Sequence, residues 1–329
     1  MSFRVKTIVL VAVAGLLATG CSSTGDSAAG TTTDGELQPV RVITDGTMAS
    51  AAIHLGMKQG FFEEEGLDLE ISDSANPPAA VAALQSNEVD IGAIPLVPSI
   101  NAQAQNIDLV SFAPASGYPV ESDQWEEYDT SGIYAQADSG ISSPADLEGK
   151  KVAVNARKAM FEGYVQDAVT NDGGDPEKIE WVALDFGSQI EALRTDEIDV
   201  ATLSMPFTFE AEANGAESIW SPGATFFEGG LNATWLASPE MVENTEVLEK
   251  FRAGILKSNE YANENREEAI AVASDTTGIS AEAIADSEQF IYFPTELATE
   301  DLERASQKLA DLGFIKEPVD MTDRILWDE

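Results

Sequence analysis

Few side chains in this sequence could do chemistry. Its 329 residues include one His, His54, and one Cys, Cys21. A single thiol closes no intramolecular disulfide, and one His with one Cys cannot build a Cys/His zinc site. The chain has no H-E-x-x-H, G-x-G-x-x-G or G-x-S-x-G run, so the usual signatures of metallopeptidase, dinucleotide and serine-hydrolase chemistry are missing. The run Asp146-Leu147-Glu148-Gly149-Lys150-Lys151 has the lysines of a phosphate loop but lacks its upstream glycine, and it reads as a solvated turn. Acid–base work would fall to His54 or to scattered carboxylates, and a packed or surface role is the expectation for His54. No catalytic residue, metal or cofactor is expected. Charge excludes a further class. With 18 Lys+Arg against 58 Asp+Glu the formal net charge is −40, which repels phosphate backbones and rules against nucleic-acid partners.

Cys21 is more readily a site where chemistry is done to the chain. Arg4 and Lys6 precede an apolar stretch, Thr7 to Leu17, that is too short for an ordinary bilayer-spanning helix of roughly 20 residues. It runs into Leu17-Ala18-Thr19-Gly20-Cys21, where small residues give a peptidase access and the thiol can accept diacylglycerol. This resembles a bacterial lipoprotein signal. The reading is a signal peptide over 1–20, a flexible Ser/Thr/Gly-rich tether over 21–38, and a mature chain held outside the cell membrane by lipid on Cys21.

The elements that position everything else begin at Pro39. Hydrophobic content of 43 %, with 14 Phe and 5 Trp, is enough for real cores, and the length suggests two domains. Short apolar runs alternate with helical patterns, which predicts an α/β fold with mostly parallel sheets. Strands are expected at Val40–Ile43, Leu67–Ile71, Val89–Ile94, Gly132–Gln136, Val152–Val154, Ile179–Leu184 and Ile198–Leu203. Helices are expected at Ser50–Gln59, Pro78–Gln85, Pro98–Gln105 and Ala159–Thr170, then up to Arg194, and over most of the chain beyond Pro239. Gly117–Thr130 shows no clear period and reads as a crossover, with Trp125 a possible lid.

One internal repeat organises this series. Residues 83–91 read ALQSNEVDI and residues 192–200 read ALRTDEIDV. In each copy a helix ends, a polar turn follows, and a strand runs into a proline-containing loop: Ile94-Pro95-Leu96 in one, Ser204-Met205-Pro206 in the other. Ligands of open α/β sheets bind beyond the carboxyl ends of strands, so two related lobes facing each other predict a cleft that closes on a small molecule.

Gly60-Phe61-Phe62-Glu63-Glu64-Glu65-Gly66-Leu67-Asp68, Ala83-Leu84 through Asp90-Ile91-Gly92, Ser139-Gly140-Ile141 with Asp146 through Val154, Ala192-Leu193 through Pro206-Phe207, and Leu312-Gly313-Phe314-Ile315 appear in this order. Together they resemble the substrate-binding proteins of ABC importers, in the taurine/alkanesulfonate/nitrate and thiamine-precursor-pyrimidine group. The resemblance implies a type II two-lobe fold of mixed, mostly parallel sheets, with lobe one from 39–125 and 232–329 and lobe two from 126–231. It implies a monomer that captures a small sulfonate-, nitrate-, taurine- or pyrimidine-like solute, passes it to an ABC permease with its ATPase, and performs no reaction. An enzyme acting on a pyrimidine or menaquinone precursor, or a surface sensor lipoprotein, would use the same fold.

The resemblance also places ligands at loops before helix N-termini, where free N–H groups favour an anion or polar oxygen. That points to Thr47, Met48 and Ala49 in the Asp45–Ala49 loop, to Ile94, Pro95 and Leu96, and to Asn155, Arg157, Asp185, Phe186, Ser204 and Met205. Arg157 is expected to clamp a sulfonate or carboxylate if it faces the cleft. Phe207 and Trp235 join Met48, Met205 and Phe186 as possible apolar walls. Phe61 and Phe62 are expected in the core.

Overall fold

The structure is a computed structural model that describes residues 37–120, 125–287 and 289–327. Cys21, the segment 1–20 and all of the tether before Leu37 lie outside the described residues. Among the described residues, ten strands form two five-stranded sheets. The first contains β1 (Gln38–Thr44), β2 (Leu67–Asp73), β3 (Ile91–Pro95), β4 (Val110–Tyr118) and β10 (Gly230–Ala237), in the order β2-β1-β3-β10-β4. The second contains β5 (Ser131–Gln136), β6 (Lys151–Val154), β7 (Glu180–Ala183), β8 (Val200–Ser204) and β9 (Ala216–Trp220), in the order β7-β6-β8-β5-β9.

The two orders match position for position. In each sheet three strands run parallel, and the fourth position is antiparallel to both neighbours. That antiparallel strand is always the first one laid down after the chain crosses between sheets, β5 after β4 and β10 after β9. The structure is therefore a two-lobe α/β fold with helices flanking each sheet, as expected from the sequence.

Period-2 burial and β-branched residues explain the strands. In β1, Val40 and Val42 are buried while Arg41 between them is exposed. They meet Phe112 of β4, Trp235 of β10 and Phe251 of the helix Thr245–Glu264 in the first sheet's core. The second sheet packs Ile133, Val152 and Val200 against Val165 and Val169. Phe61 and Phe62 are both core residues, and Gly60 before them adopts φ 78°, a left-handed turn that suits glycine.

Three strands had no counterpart in the sequence reading: β4, β9 and β10. Pro114 lies inside β4 and removes a ladder donor, which masks the pattern. It is tolerated because β4 is an edge strand: β10 is the one strand paired with it among the described residues, and its outer side makes isolated bridges at Ser111 and Gly117, not at Pro114.

Candidate functional site

The repeat is reproduced hydrogen bond by hydrogen bond. In the first copy Glu88 N–H donates to Ala83 O at 2.9 Å and Val89 N–H donates to the same oxygen at 3.4 Å. In the second, Glu197 and Ile198 donate to Ala192 O at 2.9 and 3.4 Å. Asn87 and Asp196 hold the same left-handed φ of 57°. Asp90 Oδ2 accepts from Arg41 N–H of β1, and Asp199 Oδ2 accepts from Lys151 N–H of β6, both at 2.8 Å. These turns fix the starts of β3 and β8, and so fix where the strands end.

The strand ends meet. Pro95 closing β3 and Ser204 closing β8 both line two adjoining chambers between the sheets. The chambers have volumes of about 60 and 50 Å³, enough for a few water molecules each or part of a small solute. The first is lined by residues of both sheets, including Ser116 and Tyr118 of β4, Asn232 of β10, Ser131 of β5 and Tyr164 of the helix Met160–Asn171. The second is lined by Asn155, Phe161 and Phe186.

Asp45 and Thr47 border both chambers. Asp45 follows β1, and Gly46 turns at φ 67°, where an added Cβ would press on Asp73 Cβ at 3.2 Å. Thr47 then caps a short 3-10 turn, donating its N–H and Oγ1–H to Asp45 Oδ1 at 3.0 and 2.9 Å and accepting from Ala49 N–H at 3.2 Å. Asp45 is half-buried. Burial pushes its carboxyl pKa up, against the pull of the Thr47 donors, and the neighbouring Asp73 adds to the rise.

The other anticipated residues divide cleanly. Thr47, Ala49, Pro95, Asn155, Phe186 and Ser204 line the chambers. Met48, Ile94, Leu96 and Met205 are at most 2 % exposed and belong to apolar clusters. Met205 projects from the second sheet's loop into the helices beside the first sheet, among Met48, Leu55 and Phe293. Asp185 is exposed and caps the helix Phe186–Arg194, accepting from Ser188 N–H at 2.9 Å and Ser188 Oγ–H at 2.7 Å, which pulls its pKa down.

Arg157 lines neither chamber. Glu162, with its side chain 1 % exposed, engages the guanidinium at 2.8 and 3.1 Å, and the group also lies over the Trp181 ring. An anion clamp would need that pair broken and the carboxylate of Glu162 left buried alone, a costly exchange. His54 also lines neither chamber; its Nε2 is buried without a partner among the described residues, and desolvation lowers its pKa. Trp125 donates to Pro119 O at 2.8 Å, and Trp235 is buried in the first sheet's core.

Sequence reasoning missed Ser116, Tyr118, Asn232 and Tyr164 as lining residues. The first three sit on β4 and β10, the strands it did not anticipate. Beneath them Asp129 is 1 % exposed. It accepts from Ser131 N–H at 3.1 Å, Ser131 Oγ–H at 2.5 Å and Ala224 N–H at 3.1 Å, which ties the two crossings together. Gly223 permits this approach, since a Cβ there would strike Tyr118 Oη and Asp129 Oδ1. Among the described residues no group of His, Cys, Asp and Glu could hold a metal ion, and no helix is long and apolar enough to cross a membrane.

Two matched sheets with a polar, aromatic-walled pair of chambers at their strand ends define a periplasmic-binding-protein fold, and solved structures agree. The periplasmic aliphatic sulphonate binding protein of Escherichia coli aligns at TM-score 0.68 with 19 % identity, covering 89 % of this chain and 93 % of that one. The alkanesulfonate-binding protein of Xanthomonas axonopodis pv. citri, bound to MOPS, aligns at TM-score 0.73 with 14 % identity, over 90 % and 100 % of the two chains. The formylaminopyrimidine-binding protein of Halalkalibacterium halodurans is 26 % identical over 250 residues, 73 % of this chain and 71 % of the relative. The NMT1/THI5-like family profile matches residues 48–269, and the chain belongs to that family.

Proposed function

We propose that this chain is the solute-capturing component of an ABC importer, working outside the cell membrane as a monomer anchored through lipid on Cys21 and handing its solute to a permease and ATPase. The observation that carries the reading is the enclosure of both chambers between the lobes, at the ends of β3 and β8, by side chains from both sheets. A solute held there contacts both lobes only when they are closed, so binding and closure are one equilibrium. Relatives are named for sulfonate and pyrimidine binding, and small sulfonate-, pyrimidine-, taurine- and nitrate-like solutes are the set to screen first, with the chemistry of this chain's own lining deciding among small polar solutes. No enzyme role is proposed.

The test is to unfold the purified chain, identify by mass spectrometry any solute it releases, refold it solute-free, and add that solute back under small-angle scattering. The expected result is a smaller radius of gyration and a higher melting temperature. A chain whose dimensions do not respond to any solute it carries defeats the proposal. Anchoring is tested separately: Cys21→Ser should move the protein from the membrane fraction to the soluble fraction.

A further inference from the structure

The chambers carry one kind of charge. Among the described residues that line them, Asp45 is the one acidic side chain, and no Lys or Arg is present. Its Oδ1 accepts from Thr47 N–H and Oγ1–H, and among the described residues no Lys or Arg forms an ion pair with this carboxylate. Arg157, the cation closest in sequence to the lining residue Asn155, is held by Glu162.

Two further oxygens share this environment. Tyr164 is fully buried, lines the first chamber, and its hydroxyl has no hydrogen-bond partner among the described residues. Asn155 lines the second chamber, and its Oδ1 is buried and likewise unpartnered. A buried polar atom without a protein partner is free to pair with a water, an ion or a solute, and these two face the chambers. Aromatic side chains complete the walls: Tyr118, Tyr128 and Tyr164 around one chamber, Phe161 and Phe186 around the other. Carboxylate, free acceptor oxygens and aromatic rings suit a positive nitrogen that carries hydrogens. A sulfonate or nitrate would instead lie beside the Asp45 carboxylate with no cationic side chain to offset it. The chain's net charge of −40 favours the approach of cations over anions in the same sense.

We infer that the solute is a small organic cation with N–H donors, an alkylammonium or amidinium group, and that Asp45 is its counter-ion and the residue that sets specificity. This rests on the solute-binding reading above. Asp45 Oδ2 takes the charge, and Tyr164 Oη and Asn155 Oδ1 accept from further N–H groups.

The solute-free full chain is titrated calorimetrically at pH 7 with ethylammonium, benzylammonium and benzamidinium, with benzamide as the neutral match, and with ethanesulfonate and nitrate. At least one cation should bind and raise the melting temperature, while benzamide and both anions do not. Asp45→Asn keeps an oxygen for the Thr47 donors and should still fold, yet weaken the cation by about 30-fold or more. Asn155→Leu, as a second variant, should weaken it by a smaller factor. Binding of ethanesulfonate or nitrate without any cation overturns the inference, as does failure of every cation, or unchanged cation affinity in Asp45→Asn. Compaction by the released solute is measured independently, so the capture role can stand while this assignment falls.

Discussion

The two copies of the repeat, 83–91 and 192–200, share a backbone but not a surrounding. Each turn holds a left-handed residue at the same place, the same pair of bonds to an alanine carbonyl, and the same aspartate clasping an N–H of the neighbouring parallel strand. Around that frame they differ. Asp90 also takes the Arg41 guanidinium, at 3.0 Å from Nε and 2.5 Å from Nη2, whereas Asp199 has no side-chain partner among the described residues. Asn87 Oδ1 accepts from Glu240 N–H at 3.0 Å, and among the described residues Asp196 has no such bond. Leu84 packs inside the first lobe with Ile43 and Ile94, while Leu193 joins a cluster that runs across the lobe boundary to Leu96 and Leu309. Backbone hydrogen bonding conserves the turn; side chains adapt each copy to its place.

The largest difference between the two copies is expected at their leucines. Leu84→Ala and Leu193→Ala each remove a side chain at most 2 % exposed, and each should cost about 2–5 kcal/mol in chemical denaturation. Only Leu193→Ala should also weaken solute-driven compaction, because its cluster spans both lobes. Equal effects on compaction would break the distinction.

The aspartates come next. Asp90→Ala and Asp199→Ala each leave a backbone N–H of the neighbouring strand without its carboxylate and should each cost about 1–3 kcal/mol. The Arg41 pair is 46 % exposed on the arginine side, so Asp90→Ala should exceed Asp199→Ala by at most about 1 kcal/mol. That excess should shrink in 1 M salt.

A second comparison sets Asp45 against Asp185, two aspartates that each follow a strand and accept from the next helical turn. Asp45 has a raised pKa through burial, and Asp185 a lowered one through the Ser188 donors. A carboxyl with a raised folded pKa gains stability as pH falls toward its unfolded value, and one with a lowered pKa loses it there. At pH 7 solute-free Asp45→Asn should therefore melt above the parent, with the gap closing toward about pH 4, the unfolded value. Asp185→Asn should melt below the parent at pH 7, with its deficit disappearing below about pH 4. Melting curves from pH 3 to 7 that move the two variants in the same direction would remove the contrast.

The smallest effect is at the left-handed residues. Asp196→Gly should stabilise by about 0.5 kcal/mol through relief of its positive φ. Asn87→Gly gains the same relief but forfeits the bond to Glu240, so it should be neutral or destabilising in parallel denaturation curves.

Most of the fold was readable because each helix and parallel strand carries a local period and a punctuating turn. The repeat added the decisive point, that two strand ends face one another, and Pro95 and Ser204 lie where it puts them. What escaped was non-local. β10 acquires its place only by insertion between strands distant in sequence, and with it went Asn232; Ser116 and Tyr118 were lost with β4 behind Pro114. Arg157 had the right residue type and position for a ligand clamp, but Glu162 five residues later claims it. Asp45 stood in the quoted loop without being singled out, because a lone carboxylate among 58 acidic residues carries no pattern.

The position of β10 has a consequence for how the molecule is made. The second sheet is built from one uninterrupted stretch, Ser131 to Trp220, and has all its strands once that stretch exists. The first sheet begins earlier, at Gln38, yet its β3 and β4 are separated by the width of one strand until Gly230–Ala237 arrives to fill the gap. A chain that emerges from its N-terminus therefore reverses the usual order in which the earlier unit finishes first. The lobe begun first is completed last, and until then β4 waits with unpaired backbone, open to any passing edge.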